Sequence, residues 1–155
     1  MDKLRILKAV RSELEEELRR QLAAQQTAAD GATHAEARAE TKWDTCGLEQ
    51  SYLARGHARQ FERLAAQVEE LRSFVPPSFS GKPIAVGALV EAEMNGETML
   101  FLLLNCGGGI ELKLDGRTLT VITPESPIGA VLTGKVKGDI YSFRAGLDGT
   151  VRSVQ

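Results

Sequence analysis

The sequence changes its repeat at Pro76-Pro77, and that change sets what the chain can fold into. Residues 1 to 75 contain no proline, and their apolar side chains recur every three or four positions, the spacing that lines one face of an α-helix. Leu4, Leu7, Val10, Leu14, Leu18 and Leu22 form one stripe. Phe61, Leu64, Val68, Leu71 and Val75 form a second, with strict alternation of three and four that makes a heptad seam. Between the stripes the small residues Ala28, Ala32, Ala35 and Ala39 take over, and Asp30-Gly31 weakens the helix, a glycine costing about 1 kcal/mol relative to alanine. Cys46-Gly47 is the best point of reversal. Folding back there opposes Leu14 to Val75, Leu18 to Leu71, Leu22 to Val68 and Ala29 to Phe61. The expectation is an antiparallel helical hairpin over 1–75 with its tip near 42–48, on the order of 40 Å long at about 1.5 Å per residue. A dimerising coiled coil with an unbroken helix through 42–50 is the competing reading.

Pro76 to Gly81 ends the second helix, and 76–82 reads as a linker. From Pro83 the pattern has period two, punctuated by Asn95-Gly96, Asp115-Gly116 and Asp148-Gly149, dipeptides that suit tight hairpin turns. Strands are expected near 86–93, 98–105, 110–114, 117–122, 139–145 and 150–154. Leu100 to Leu104 is apolar without alternation, which marks a central strand covered on both faces. One short helix interrupts the strands: Ser126 suits the N-cap, Pro127 the first position, Ile128, Val131 and Leu132 share a face, and Gly134 supplies a left-handed stop. The fold class is α+β, with domain 83–155 small enough to need cover from residues 1–13. Gly107-Gly108-Gly109 precedes a strand pattern, not a helix start, so it reads as a loop between strands and not as a phosphate cradle.

Composition narrows the function classes. Nineteen Lys and Arg against 21 Asp and Glu give a net charge of −2, which argues against a broad phosphate-tracking surface. No apolar run approaches the roughly twenty residues of a membrane span. The start, Met1-Asp2-Lys3-Leu4-Arg5, is charged and helical, unlike a signal peptide. The expected location is the cytoplasm, where Cys46 and Cys106, far apart and without neighbours at ligand spacing, are free thiols.

The block from Ser126 to Asp139, the Val86-Gly87-Ala88 strand start and a closing hairpin around Gly149 resemble the C-terminal domain of the bacterial transcript-cleavage factors, GreA and GreB. The helical finger, with Tyr52 and Phe61 nine apart beyond its tip, resembles the N-terminal half of that family. The resemblance implies an FKBP-like C-terminal domain and binding to RNA polymerase as a monomer. Nucleic acid is then met only through that complex. In the family the C-terminal domain docks on the rim of the secondary channel while the finger reaches the active centre. Two tip acids there help hold a Mg²⁺ with which the polymerase cleaves backtracked RNA, so the factor is not an enzyme by itself and holds no cofactor of its own. Ser126, Pro127, Ile128 and Lys135 are the implied rim contacts. Ser126 and Pro127 can equally do no more than start the helix.

The tip departs from the family. Thr45 and Leu48 occupy the positions of its Asp-x-x-Glu pair, and carboxylates sit one place outside, at Asp44 and Glu49. Either a loop shifted by one residue brings Asp44 and Glu49 together as the catalytic pair, or both are solvated. Glu36 and Glu40 read as a solvated helix face. Trp43 either anchors the turn against Leu48 and Tyr52 or inserts into a partner pocket. Two further readings compete: a channel-binding regulator without cleavage, and an FKBP-type prolyl isomerase. The latter requires an aromatic-lined pocket, for which 76–155 offers only Phe79, Phe101, Tyr141 and Phe143.

Overall fold

The computed structural model describes residues 2–33, 46–144 and 147–155, with the side chains at 28–33, 46–54 and 144 outside the description. The chain divides into two compact units, one formed by the chain up to Val10 together with Ser73–Gln155, the other by Arg11–Arg72.

The Arg11–Arg72 unit holds most of α1 (Lys3–Thr33) and α2 (Cys46–Ser73). Asp2 starts α1, its Oδ1 accepting from Leu4 N at 3.0 Å, an anionic cap on otherwise unpaired amides. The helices run antiparallel: Arg72, at the end of α2, donates to Glu15 Oε1 at 3.1 Å, near the start of α1. Leu14, Leu64, Val68 and Leu71 are buried, each worth roughly 1.5–3 kcal/mol when fully removed from water. The expected pair Leu14 and Val75 does not form. α2 stops at Ser73 and Val75 is 80% exposed, because a residue before proline is driven out of the helical region. α1 continues through Asp30-Gly31 to Thr33, the cost of one glycine being smaller than that of breaking a long helix and renucleating it. Cys46 and Gly47 open α2 instead of reversing the chain. Trp43, Asp44 and Thr45 lie outside the described residues.

The second unit is built on a mixed six-stranded sheet in the order β3-β4-β2-β1-β6-β5. Its strands are β1 (Leu89–Met94), β2 (Glu97–Leu103), β3 (Glu111–Leu114), β4 (Arg117–Ile122), β5 (Ile140–Arg144) and β6 (Leu147–Val154), with α3 (Pro127–Leu132) between β4 and β5. Asn95 and Gly96 have φ of 53° and 78°, Asp115 and Gly116 of 50° and 78°, the left-handed pairs that close two-residue hairpins. The third dipeptide behaves differently. Asp148 and Gly149 lie inside β6, paired with Ser142 and Tyr141 of β5. Gly149 serves close approach instead of a turn: a Cβ there would lie 2.5 Å from the Tyr141 hydroxyl and 2.6 Å from the Glu93 carbonyl oxygen.

Leu100 to Leu104 is buried throughout and lies in and just beyond β2, in the middle of the sheet. On one face Phe101 and Leu103 join Val90, Ala92, Ile122, Tyr141, Val151 and Leu132 of α3 in a single apolar cluster. Alternation sends Leu100, Leu102, Leu119 and Val121 to the other face, where they are equally buried. Ile6 and Val10, 1% and 0% exposed, belong to this unit. Leu4, expected in the stripe, is 65% exposed, and Ile6 takes its place.

Candidate partner-binding surface

The segment 126–139 folds as one hydrogen-bonded block on the α3 side of the sheet. Ser126 has the extended backbone of an N-cap (φ −67°, ψ 148°). Its Oγ accepts from Gly129 N at 3.1 Å and donates to Thr123 O at 2.7 Å, tying the helix start to the end of β4. Pro127 follows at the first helical position, where its missing N–H costs nothing. Gly129 is required sterically, since a Cβ there would overlap the Thr123 carbonyl oxygen and come within 2.8 Å of Ser126 Oγ. Leu132 is fully buried, and Ile128 and Val131 pack against the same cluster.

After α3, Gly134 turns the chain with φ of 81°. Gly134 N donates to Ile84 O and Ile84 N donates to Lys135 O, both at 2.8 Å, which fastens this loop to the strand leading into the sheet. Asp139 then shapes Val136 to Gly138. Its Oδ2 accepts from Val136 N at 2.9 Å, its N–H donates to Val136 O at 3.0 Å, and its carbonyl accepts from Val151 N at 2.9 Å. Gly138, at φ 94°, closes the same turn through Val151 O.

The result is a surface on which Pro127 is exposed, Ser126, Ile128 and Lys135 are half-buried, and Val136 and Ile140 present apolar side chains, Ile140 at 66% exposure. Lys137 is exposed on the same loop. Sequence reasoning missed Val136 and Ile140. The signal was present for Ile140: with Tyr141 committed to the core, alternation turns its neighbour outward on an edge strand. Of the other expected site residues, Glu49 falls in the first turn of α2, in the helical unit, with its side chain outside the description. Trp43 and Asp44 lie outside the described residues.

Chemistry elsewhere is sparse. Among the described residues no group of three or more His, Cys, Asp or Glu is placed to hold a metal ion, and no helix is long and apolar enough to cross a membrane. Cys106 is a buried cysteine that forms no disulfide among the described residues. The aromatics that an isomerase pocket would use are spent on packing: Phe79, Phe101 and Tyr141 are 5%, 7% and 2% exposed in the core cluster, and Phe143 packs against it. Cross-strand ion pairs, Arg117 with Glu91 at 2.5 Å and Arg152 with Glu93, decorate the sheet.

No protein-family model and no curated protein matches the chain. Among solved structures it is similar to the transcription factor Gfh1, at 22% identity over 96% of this chain and 94% of that one, with a TM-score of 0.41. It is also similar to the GreA factor homolog 1 (Gfh1) protein of Thermus thermophilus, at 21% identity over 94% of both chains and a TM-score of 0.38. Thermus aquaticus Gfh1 gives 20% identity over 96% of this chain and 95% of that one, with a TM-score of 0.40.

Proposed function

We propose that this chain is a cytoplasmic, monomeric transcription elongation factor that binds RNA polymerase, with its sheet unit as the FKBP-like anchor and its helical pair as the finger that enters the secondary channel. The observation that carries this reading is the folded 126–139 block, in which every cap and turn residue of the quoted resemblance has a physical job and leaves Pro127, Val136 and Ile140 on the surface. The antiparallel α1–α2 unit supports it, since a narrow two-helix element suits a channel. The factor is not an enzyme alone. Its carboxylates, Asp44 and Glu49, supply one or two ligands to a Mg²⁺ that the polymerase already holds, and a hard cation that keeps several waters needs no more.

A second reading, a channel regulator without cleavage, has a specific motive: Thr45 and Leu48 stand where the family's acids stand. One experiment separates the two. Core polymerase immobilised at low salt should retain the protein, and stalled backtracked complexes should release short RNA faster with wild type than with Asp44→Ala plus Glu49→Ala. Binding with equal cleavage in both assigns the regulator. No binding removes the polymerase reading altogether.

A further inference from the structure

Pro76 to Lys82, which the sequence marks as a linker, is gripped from three sides within its own unit. Lys3 Nζ donates to Pro77 O at 2.6 Å and to Gly87 O at 3.2 Å. The same ammonium lies 5.1 Å from the centroid of the Phe79 ring, and Phe79 is itself buried in the core cluster. Gly87, at φ 94°, lets the backbone close on the segment: a Cβ there would be 2.8 Å from Pro77 Cδ and 3.0 Å from Phe74 Cζ. Gly87 N in turn donates to Leu103 O at 2.7 Å, which carries the grip into β2. These partners of Lys3, two carbonyl oxygens and a ring face, are neutral acceptors whose attraction depends on the single ammonium charge. Burial of the group pushes its pKa down, as expected of a cation held partly out of water.

We propose that Lys3 is a charge-dependent fastener that locks residues 76–88 to the start of α1, so that this stretch is a fixed strap and not a free hinge. Lys3 is a positioning residue here, acting through Pro77, Gly87 and Phe79. The contact is independent of the polymerase reading, because every group in it belongs to the sheet unit.

Hydrogen exchange on the full chain tests it. Lys3→Met keeps the apolar stem and removes the charge, and amides of 78–88 should then exchange about tenfold faster, as local opening requires, while those of β5 and β6 keep their wild-type rates. Lys3→Arg should restore protection. Unchanged exchange over 78–88 in Lys3→Met overturns the proposal, as does a Lys3→Arg variant that behaves like Lys3→Met. If Lys3→Met does not fold, Phe79→Leu reads the same contact. A rise confined to 78–88 supports the fastener, and a rise spread equally over β5 and β6 overturns it.

Discussion

Tyr141 illustrates how a single residue can be both indispensable and imperfect. Its ring fills the space over Gly149 at 2% exposure, yet its hydroxyl has no hydrogen-bond partner among the described residues. A buried hydroxyl without a partner costs roughly 1–3 kcal/mol. Tyr141→Phe should therefore leave stability unchanged or raise it by up to about 1 kcal/mol in urea unfolding, and a clear loss would reveal a partner for the oxygen. Burial also raises the phenol pKa above its ordinary 10.0. The folded chain then holds this proton more tightly than the unfolded one, so stability contributed by the neutral form is complete below pH 10 and falls as pH rises past it. Wild type should lose stability above pH 10 more steeply than Tyr141→Phe, and parallel curves would refute the assignment. Gly129 carries the opposite lesson. Gly129→Ala forces a methyl into the Thr123 carbonyl and Ser126 Oγ, and should cost about 2–4 kcal/mol, in the range of strained or overpacked sites. A loss under about 1 kcal/mol would mean that the helix start shifts freely.

At the level of elements, periodicity and turn chemistry carried most of the fold. All six strands, the short helix with its Ser126 cap, and two of three hairpin turns could be read because each rests on local chemistry: β-branched alternation, a capping hydroxyl, an Asn or Asp beside a glycine. Asp148-Gly149 misled because glycine meets two needs, positive φ and close approach, and only the three-dimensional neighbour, Tyr141, tells them apart. The pairing of Leu14 with Val75 was similarly beyond reach. The heptad seam predicted which residues of α2 face inward but not where Pro76 would end the helix, and Val75 fell outside. The seam nevertheless grades in strength. Leu71 is 6% exposed and Leu22 is 43% exposed, so Leu71→Ala should cost about 2–4 kcal/mol and Leu22→Ala less than about 1 kcal/mol. Chemical denaturation followed by helical circular dichroism compares them, and equal losses would show that the outer part of the pair is as tightly packed as its base.

At the level of the whole molecule, the helix start at Ser126 and Pro127 and the stop at Gly134 were legible, while Asp44 lies outside the described residues. A cap and a stop announce themselves in sequence, whereas whether Asp44 and Glu49 converge depends on a loop geometry that neither spacing nor helix periodicity fixes. The number of chains that act together can be argued more firmly. A dimerising coiled coil leaves its seam exposed in one chain and buries it against a second. Here Leu14, Leu64, Val68 and Leu71 are buried within a single chain, and Arg72 of α2 already pairs with Glu15 of α1. Among the described residues, the large apolar side chains left outside, Leu4, Leu22, Val75, Val136 and Ile140, form no heptad. Leu4, Leu22 and Val75 are single exposed apolar residues of a kind ordinary on monomers. Light scattering across a wide concentration range should therefore return the mass of one chain. A doubled mass that persists on dilution would mean that the seam is shared between two copies, and the finger of the proposed function would have to be a pair of chains instead of one chain folded back.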